Sequence, residues 1–164
     1  MLAPRNKLWS TPIEVIDAAI EILDINPEDI VYDIGCGDGR FLFKCAEYTK
    51  AKIIGIDINE NRIDEVNQQI LSLKLSNNCE AIHANALEID FSAATVIFLY
   101  LIPRGLKLIL PQILNISHKV RIVTYMTPFS GPIELKFKKK IKVVVGEQTT
   151  VEYPIYYYEI NSHI

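Results

Sequence analysis

The sequence predicts a three-layer α/β fold: a seven-stranded, mostly parallel sheet covered by helices on both faces and closed by an antiparallel hairpin toward its C-terminal end. Three observations carry this prediction. Short, almost continuously apolar runs at residues 30–34, 53–57 and 95–100 alternate with segments of helical periodicity, and such runs belong to strands buried inside a parallel sheet. The first run feeds a glycine turn, Gly35-Cys36-Gly37-Asp38-Gly39, that opens a helix, and the second ends on an acid, Asp57. Beyond Tyr125 the alternation stops, and two strand-like runs follow at hairpin spacing.

Each element has its own signal. Thr11 can cap the first helix, Pro12 suits its first position and Glu14 completes a capping box, whose loss would cost about 0.5–2 kcal/mol. Ile13, Ile16, Ile20 and Leu23 then recur at helical spacing, with Glu14, Asp17 and Glu21 facing outward, until Asn26-Pro27 ends the element. A strand at 30–34, a helix from about 39 to 48, a strand at 53–57 and a helix from about 60 to 75 follow. Further strands are expected at 81–84, 95–100 and 119–125, with a helix over 103–114. Thr127-Pro128-Phe129-Ser130-Gly131-Pro132 is a turn-rich loop, and the runs 138–145 and 151–160 form the hairpin across 146–150. Pro154, inside a strand, predicts a bulge. With no internal repeat, low-complexity tract or linker, residues 1–164 are expected to form one domain, with 1–10 as an arm.

Composition narrows the function. A chain of 164 residues can bury roughly 70% of its unfolded surface without disulfides or metals. A hydrophobic fraction of 49% and a net charge of -3 exclude a disordered chain or a polyanion-wrapping one, so nucleic acid is not an expected partner. No run reaches the roughly twenty apolar residues of a membrane span. Cys36, Cys45 and Cys79 lack paired spacing, which argues against disulfides and a zinc site and for a reducing compartment, cytoplasmic or nuclear. His83, His118 and His163 show no metal-ligand spacing, so no metal is expected. Lys136, Lys138, Lys139, Lys140 and Lys142 could make a polyanion patch, but lysines along an edge strand more commonly block edge-to-edge aggregation.

The strand, glycine turn and distal acid form a unit that holds an adenosine-containing ligand at the end of a parallel sheet. A dinucleotide turn would carry its third glycine at position 40, where this chain has Arg40, and a Walker loop would end in Gly-Lys-Ser/Thr. Asp33 and Asp38 suit a cation better than a phosphate. S-adenosyl-L-methionine is an adenosine without phosphate that carries a sulfonium and an amino group, and carboxylates around a glycine turn complement it.

Val31-Tyr32-Asp33-Ile34-Gly35-Cys36-Gly37-Asp38-Gly39-Arg40 resembles the first motif of the class I, seven-strand S-adenosylmethionine-dependent methyltransferases, a Rossmann-like fold, and the likeness extends over almost the whole chain. It implies that the last strand inserts antiparallel between the fifth and sixth. It implies that Asp33 and Gly35 underlie the methionine moiety, that Gly37 and Gly39 allow close backbone approach, and that Asp57 holds the ribose hydroxyls. Ile58, Asn85 and Ala86 would meet the adenine, Asp38 and Thr11 would border the cofactor, and Tyr100 would sit beside the transferable methyl as the catalytic residue. S-adenosyl-L-homocysteine would be the product.

Ser10-Thr11-Pro12, the Gly37-Asp38-Gly39-Arg40 turn and residues 94–103 are similar to a narrower group, the small archaeal and mitochondrial protein-lysine methyltransferases. That group has a Ser-His-acid-Phe run after the fifth strand, where this chain reads Val123-Thr124-Tyr125-Met126-Thr127-Pro128-Phe129. The resemblance implies a protein substrate modified on lysine. Methyl transfer from a sulfonium is an in-line displacement, in which holding the reactants collinear can supply about 7–11 kcal/mol. A lysine with pKa near 10.4 is neutral in only about one molecule in a few thousand at pH 7, a cost of roughly 4–5 kcal/mol. An aromatic channel of Tyr100, with Trp9 and Tyr125, would favour the neutral amine by desolvation. Alternatives are a small-molecule acceptor and a non-catalytic, cofactor-binding partner subunit.

Overall fold

A computed structural model describes residues 10–161 of the 164-residue chain. Trp9, Arg5, Lys7 and His163 lie outside the described residues. In chain order the elements are α1 (Ile13–Leu23), β1 (Ile30–Ile34), α2 (Arg40–Tyr48), β2 (Lys52–Asp57), α3 (Glu60–Ser72) and β3 (Cys79–His83). A single 3-10 turn (Ala86–Glu88), β4 (Val96–Leu99), α4 (Pro103–Leu114), β5 (Val120–Tyr125), β6 (Leu135–Val145) and β7 (Thr149–Ile160) complete them. The sheet runs β3-β2-β1-β4-β5-β7-β6. Strands β1 to β5 pair in parallel, and β7 enters antiparallel between β5 and β6, with Val120 opposite Ile160 and Tyr125 opposite Ile155. The fold class and the alternation are as the sequence predicts, and the inserted last strand is as the family resemblance implies.

Because strand side chains alternate, the sheet divides the interior into two cores. Val31, Ile53, Val96, Phe98, Val123 and Tyr125 pack against α1, α2 and α3 on one face. Tyr32, Ile34, Ile54, Ile97, Leu99 and Ile122 pack against α4 on the other. The chain reverses at β1, because β2 lies on one side of it and β4 on the other. Ligands in open α/β sheets bind at such a reversal, outside the carboxyl ends of the strands.

Three local expectations are corrected. The capping box does not form: Pro12 is itself the N-cap of α1, with φ -58° and ψ 148°, and its carbonyl accepts from Val15 and Ile16 N–H. Thr11 therefore stands one position too early to cap. The helix also stops at Leu23, where Asp24 turns left-handed at φ 46°, before Asn26-Pro27 is reached. The third correction concerns Pro154, which pairs in register with Lys140 while the irregularity falls between Leu135 and Phe137. The Pro154 carbonyl accepts from Met126 N–H at 3.0 Å, so its amide edge faces the point where β5 has already ended, and no ladder donor is lost. Smaller differences are a third strand starting at Cys79 and an α3 ending at Ser72.

At the amino end of the sheet the elements are tied by a buried polar cluster. Arg121, at the start of β5, donates to the Leu23 and Asp24 carbonyls that end α1 and to the Asp29 carboxylate. Asp29 also accepts from Thr95 Oγ1 and from Asn26 N–H. Burial alone would raise the Asp29 pKa, but its hydrogen bonds and the Arg121 charge outweigh that and hold it below the usual carboxylate range. At the far edge, β6 carries five lysines along an open strand, and Lys140 pairs with Glu152 across to β7.

Candidate active site

The glycine turn leaves β1 at Ile34 and delivers the chain to α2, and its glycines are all left-handed, Gly35 at φ 84°, Gly37 at 59° and Gly39 at 77°. Only glycine adopts these values without cost. Space imposes the same requirement at two of them. A Cβ on Gly35 would stand 3.2 Å from the Tyr100 carbonyl and from Leu101, and one on Gly39 would stand 2.9 Å from the Phe43 ring. The turn is pinned to β2, where the Gly35 and Cys36 amides donate to the Ile56 carbonyl and the Gly37 amide donates to Asp57 Oδ2 at 2.9 Å. Asp57 Oδ1 accepts from Asn59 N–H at the start of α3. One carboxylate thus fixes the turn and the next helix, and each oxygen retains acceptor capacity.

A pocket opens over the turn. Of the residues singled out in the sequence, Thr11, Asp33, Gly35, Gly37, Asp38 and Tyr100 line it. Gly39 lies just behind, as the N-cap of α2. Ile58, Asn85 and Ala86 lie apart from it along the carboxyl ends of β2 and β3, next to Asp57. The Asn85 side chain accepts from Leu87 N–H and donates to Glu88, so it caps the 3-10 turn, and Ile58 is exposed. The pocket wall also includes Ser10, Cys36, Arg40, Phe41 and Phe98, which the sequence reading did not assign to the site. Phe98 was accessible to it, since Phe98 and Tyr100 stand two residues apart and so share a face. Phe98 stacks on Phe41, with ring centroids 4.2 Å apart and planes at 9°.

The charges differ from the expected pair of free carboxylates. Asp38 is engaged by Arg40 through a two-pronged ion pair, and Arg40 also donates to the Thr11 carbonyl, tying the turn to the start of α1. Burial pushes the Asp38 pKa up, but the Arg40 guanidinium more than offsets this and holds it low. Asp33 is the carboxylate left over. It is 2% exposed, and its Oδ2 has no hydrogen-bond partner among the described residues. Burial, then the Asp57 and Asp38 charges, push its pKa up to about 8, with the Leu42 amide opposing. A buried acceptor without a donor costs about 1–3 kcal/mol, so the pocket suits a donor that the described residues do not supply. The amino group of S-adenosyl-L-methionine is a donor of this kind, and Asp33 fits it. Cys36 is no nucleophile, because burial and the Asp33 and Asp57 charges hold its thiol protonated well above its ordinary pKa.

At the Tyr100 end of the pocket, Tyr100 follows β4 and Tyr125 ends β5, with their rings edge-on at 4.6 Å. The loop after β5 turns sharply: Met126 is left-handed at φ 67°, and Thr127 N–H returns to the Tyr125 carbonyl.

The ANTKMT methyltransferase domain model matches residues 33–132, from the end of β1 through the loop after β5. The chain belongs to the ANTKMT methyltransferase domain family. It is an S-adenosyl-L-methionine-dependent methyltransferase. Beyond the matched segment, the chain is 28% identical over 155 residues to a protein-lysine N-methyltransferase of Saccharolobus islandicus, covering 93% of this chain and 92% of that one. Among solved structures it is similar to an RNA methyltransferase from Salinibacter ruber in complex with S-adenosyl-L-homocysteine, with a TM-score of 0.78 and 25% identity over 95% of this chain and 96% of that one. TrmN from Thermus thermophilus shares the fold at a TM-score of 0.70 and 16% identity, over 88% of this chain and 48% of that one. The cofactor expected from the carboxylates at the glycine turn is thus the family's own.

Proposed function

We propose that this methyltransferase transfers methyl groups to the side-chain amine of lysine in protein substrates. The observation that carries the reading is the similarity, over nearly the full length of both chains, to the Saccharolobus protein-lysine N-methyltransferase. The tyrosine pair beside the glycine turn supports it. When bound, S-adenosyl-L-methionine supplies a methyl already activated by the sulfonium. The task of the protein is to hold it and to aim an amine at it.

In this reading Asp33 accepts from the cofactor's amino group, the Gly35–Gly39 turn lets the ligand approach the backbone, and Asp57 accepts from the ribose hydroxyls. Ile58, Asn85 and Ala86 border the adenine, and Phe98 with Phe41 keeps water from the sulfur end. Tyr100 and Tyr125 wall the acceptor side with low-polarity rings, which favour the neutral, nucleophilic amine over the ammonium. Collinear alignment supplies most of the rate in such displacements, so no strong general base is assigned. Three buried thiols suit a reducing compartment, cytoplasmic or nuclear.

A second reading, an RNA acceptor, is favoured by the likeness to the Salinibacter protein and by the lysines of β6. The net charge of -3 and the side-chain pairing of Lys136, Lys138 and Lys140 within the chain weigh against it. The test is incubation of the purified protein with methyl-labelled cofactor and a cell extract. Label recovered as methyl-lysine after acid hydrolysis of protein supports the lysine reading. Label in nuclease-sensitive material supports RNA, label only in small molecules supports a metabolite acceptor, and saturable cofactor binding with no transfer supports a non-catalytic subunit.

A further inference from the structure

We propose that Tyr100, Tyr125 and Tyr153 together form the acceptor-nitrogen site, in which phenol hydroxyls rather than ring faces count the N–H bonds of the incoming amine. The unmethylated amine is then held better than its methylated products. The inference rests on the reading that the acceptor is an amine and adds a residue, Tyr153 of β7, that lies outside the matched family segment.

The topology brings the three together. Leu99 and Thr124 are in register, so Tyr100 and Tyr125 follow side by side at the carboxyl ends of β4 and β5. Strand β7 runs the other way beside β5, and Tyr153 lies two residues before Ile155, the partner of Tyr125. All three side chains pack on the same face of the sheet, against the α1 core. Tyr125 sits in the middle, with the Tyr100 ring at 4.6 Å and the Tyr153 ring at 6.0 Å, both edge-to-face. Tyr100 also lines the pocket over the glycine turn, which joins the group to the place where the methyl would be.

Two features separate these phenols from ordinary core tyrosines. Buried tyrosine hydroxyls usually find a hydrogen-bond partner, as Tyr157 does with Glu159 and Tyr158 does with the Phe129 amide on the same strand. Tyr100, Tyr125 and Tyr153 show no hydroxyl hydrogen bond among the described residues, and none of their hydroxyl oxygens is among the fully buried unpartnered atoms, so these hydroxyls are open to an incoming group rather than committed within the fold. Their rings are also already packed edge-to-face on one another, so a cation resting on an open ring face is not what the cluster offers. Burial and their mutual proximity push the phenols of Tyr100 and Tyr125 above their ordinary pKa, so they stay protonated and neutral. A neutral phenol can accept from N–H. Each methylation removes one N–H and adds a methyl that has no partner among hydroxyls.

The experiment uses the full chain, labelled with carbon-13 in the tyrosine rings and saturated with S-adenosyl-L-homocysteine. It is titrated at pH 7.5 with n-butylamine or with N,N-dimethylbutylamine, both monocations there, with three N–H bonds and one. The ring resonances of Tyr100, Tyr125 and Tyr153 are expected to shift saturably, with n-butylamine binding at least about tenfold more tightly. Tyr153→Phe and Tyr125→Phe, which keep the rings, are expected to reduce that ratio several-fold while leaving affinity for S-adenosyl-L-homocysteine and the melting temperature nearly unchanged. Unmoved resonances, equal or reversed affinities, or a ratio unaffected by either variant would overturn the proposal, since a ring-face site prefers the methylated cation. Methyl-lysine formed in the extract without a Tyr153 shift would remove this site and keep the lysine reading. Discrimination between the two amines without methyl-lysine would do the reverse.

Discussion

Asp33 is the residue on which stability and cofactor binding oppose each other. Its pKa is raised from 3.8 to about 8, so the folded protein holds a proton that the unfolded chain releases. Between those values the unfolded state binds fewer protons, and this group makes stability fall as pH rises, by roughly 4 kcal/mol at pH 7 relative to strongly acid solution. Asp33→Asn removes the penalty. In the absence of cofactor the variant is expected to melt higher than the parent, by a margin that widens from pH 5 to pH 8, and to lose cofactor affinity; differential scanning fluorimetry across that range checks it. Asp57 behaves differently, because its carboxylate already holds the Gly37 and Asn59 amides. Asp57→Ala should weaken cofactor binding by about 1.5–3 kcal/mol or more and also lower the melting temperature, since it leaves two backbone donors behind; unchanged affinity in calorimetry would remove Asp57 from the site. At this scale the sequence is partly legible. A strand-turn-helix with a distal acid marks Asp33 and Asp57. The Arg40 clasp on Asp38 is not visible, because its geometry depends on a left-handed turn whose shape only the assembled structure fixes. Tyr153 is invisible for a different reason: its neighbours are remote in the chain and are set by the pairing of β7 with β5.

Among the elements, the cluster of Arg121, Asp29 and Thr95 is the counterweight to the site, at the opposite end of the sheet. It closes the end of α1 against the starts of β1, β4 and β5 in place of the N-terminal box that Pro12 prevents. The Asp29 pKa is depressed, so its contribution is complete above the unfolded value near 3.8 and is lost as pH falls through the lower folded value. Removing one partner of a buried ion pair costs about 3–5 kcal/mol. Asp29→Ala is therefore expected to lower the urea midpoint strongly at pH 7, by a margin that shrinks progressively as pH falls below the unfolded value near 3.8, without changing cofactor affinity in the folded fraction. Element boundaries are legible where a proline or a polar residue marks them, as Pro103 marks the start of α4, and less so at other helix ends. Asp24 in a left-handed conformation ends α1 ahead of the proline that the sequence marks as its stop.

For the whole molecule, the alternation of apolar strands with amphipathic helices narrows the sheet to a few doubly wound orders, and the family resemblance supplies the rest, including the inserted last strand. What composition and periodicity leave open is the acceptor, which in the proposed site is set by a few side chains that converge from the ends of β4, β5 and β7. The proposed cofactor site spans the Gly35–Gly39 turn, β2 and the start of α3, so a ligand bound there would resist opening of that whole half. S-adenosyl-L-homocysteine at 100 times its Kd should add about 2.7 kcal/mol, a rise of roughly 5–10 °C in melting temperature for a chain of this length. Asp33→Asn should show much less of that rise at the same ligand concentration, and an equal rise in both proteins would place the ligand elsewhere.

The antiparallel insertion of β7 has a consequence during synthesis. Until residues 149–160 have left the ribosome, the outer edge of Val120–Tyr125 is an unsatisfied ladder of amides and carbonyls beside apolar side chains, and β6 has no neighbour to dock on. The nascent chain must carry that open seam from the emergence of β5 to that of β7, and the lysines spaced along β6 suit a second edge that resists annealing to another copy while the seam closes.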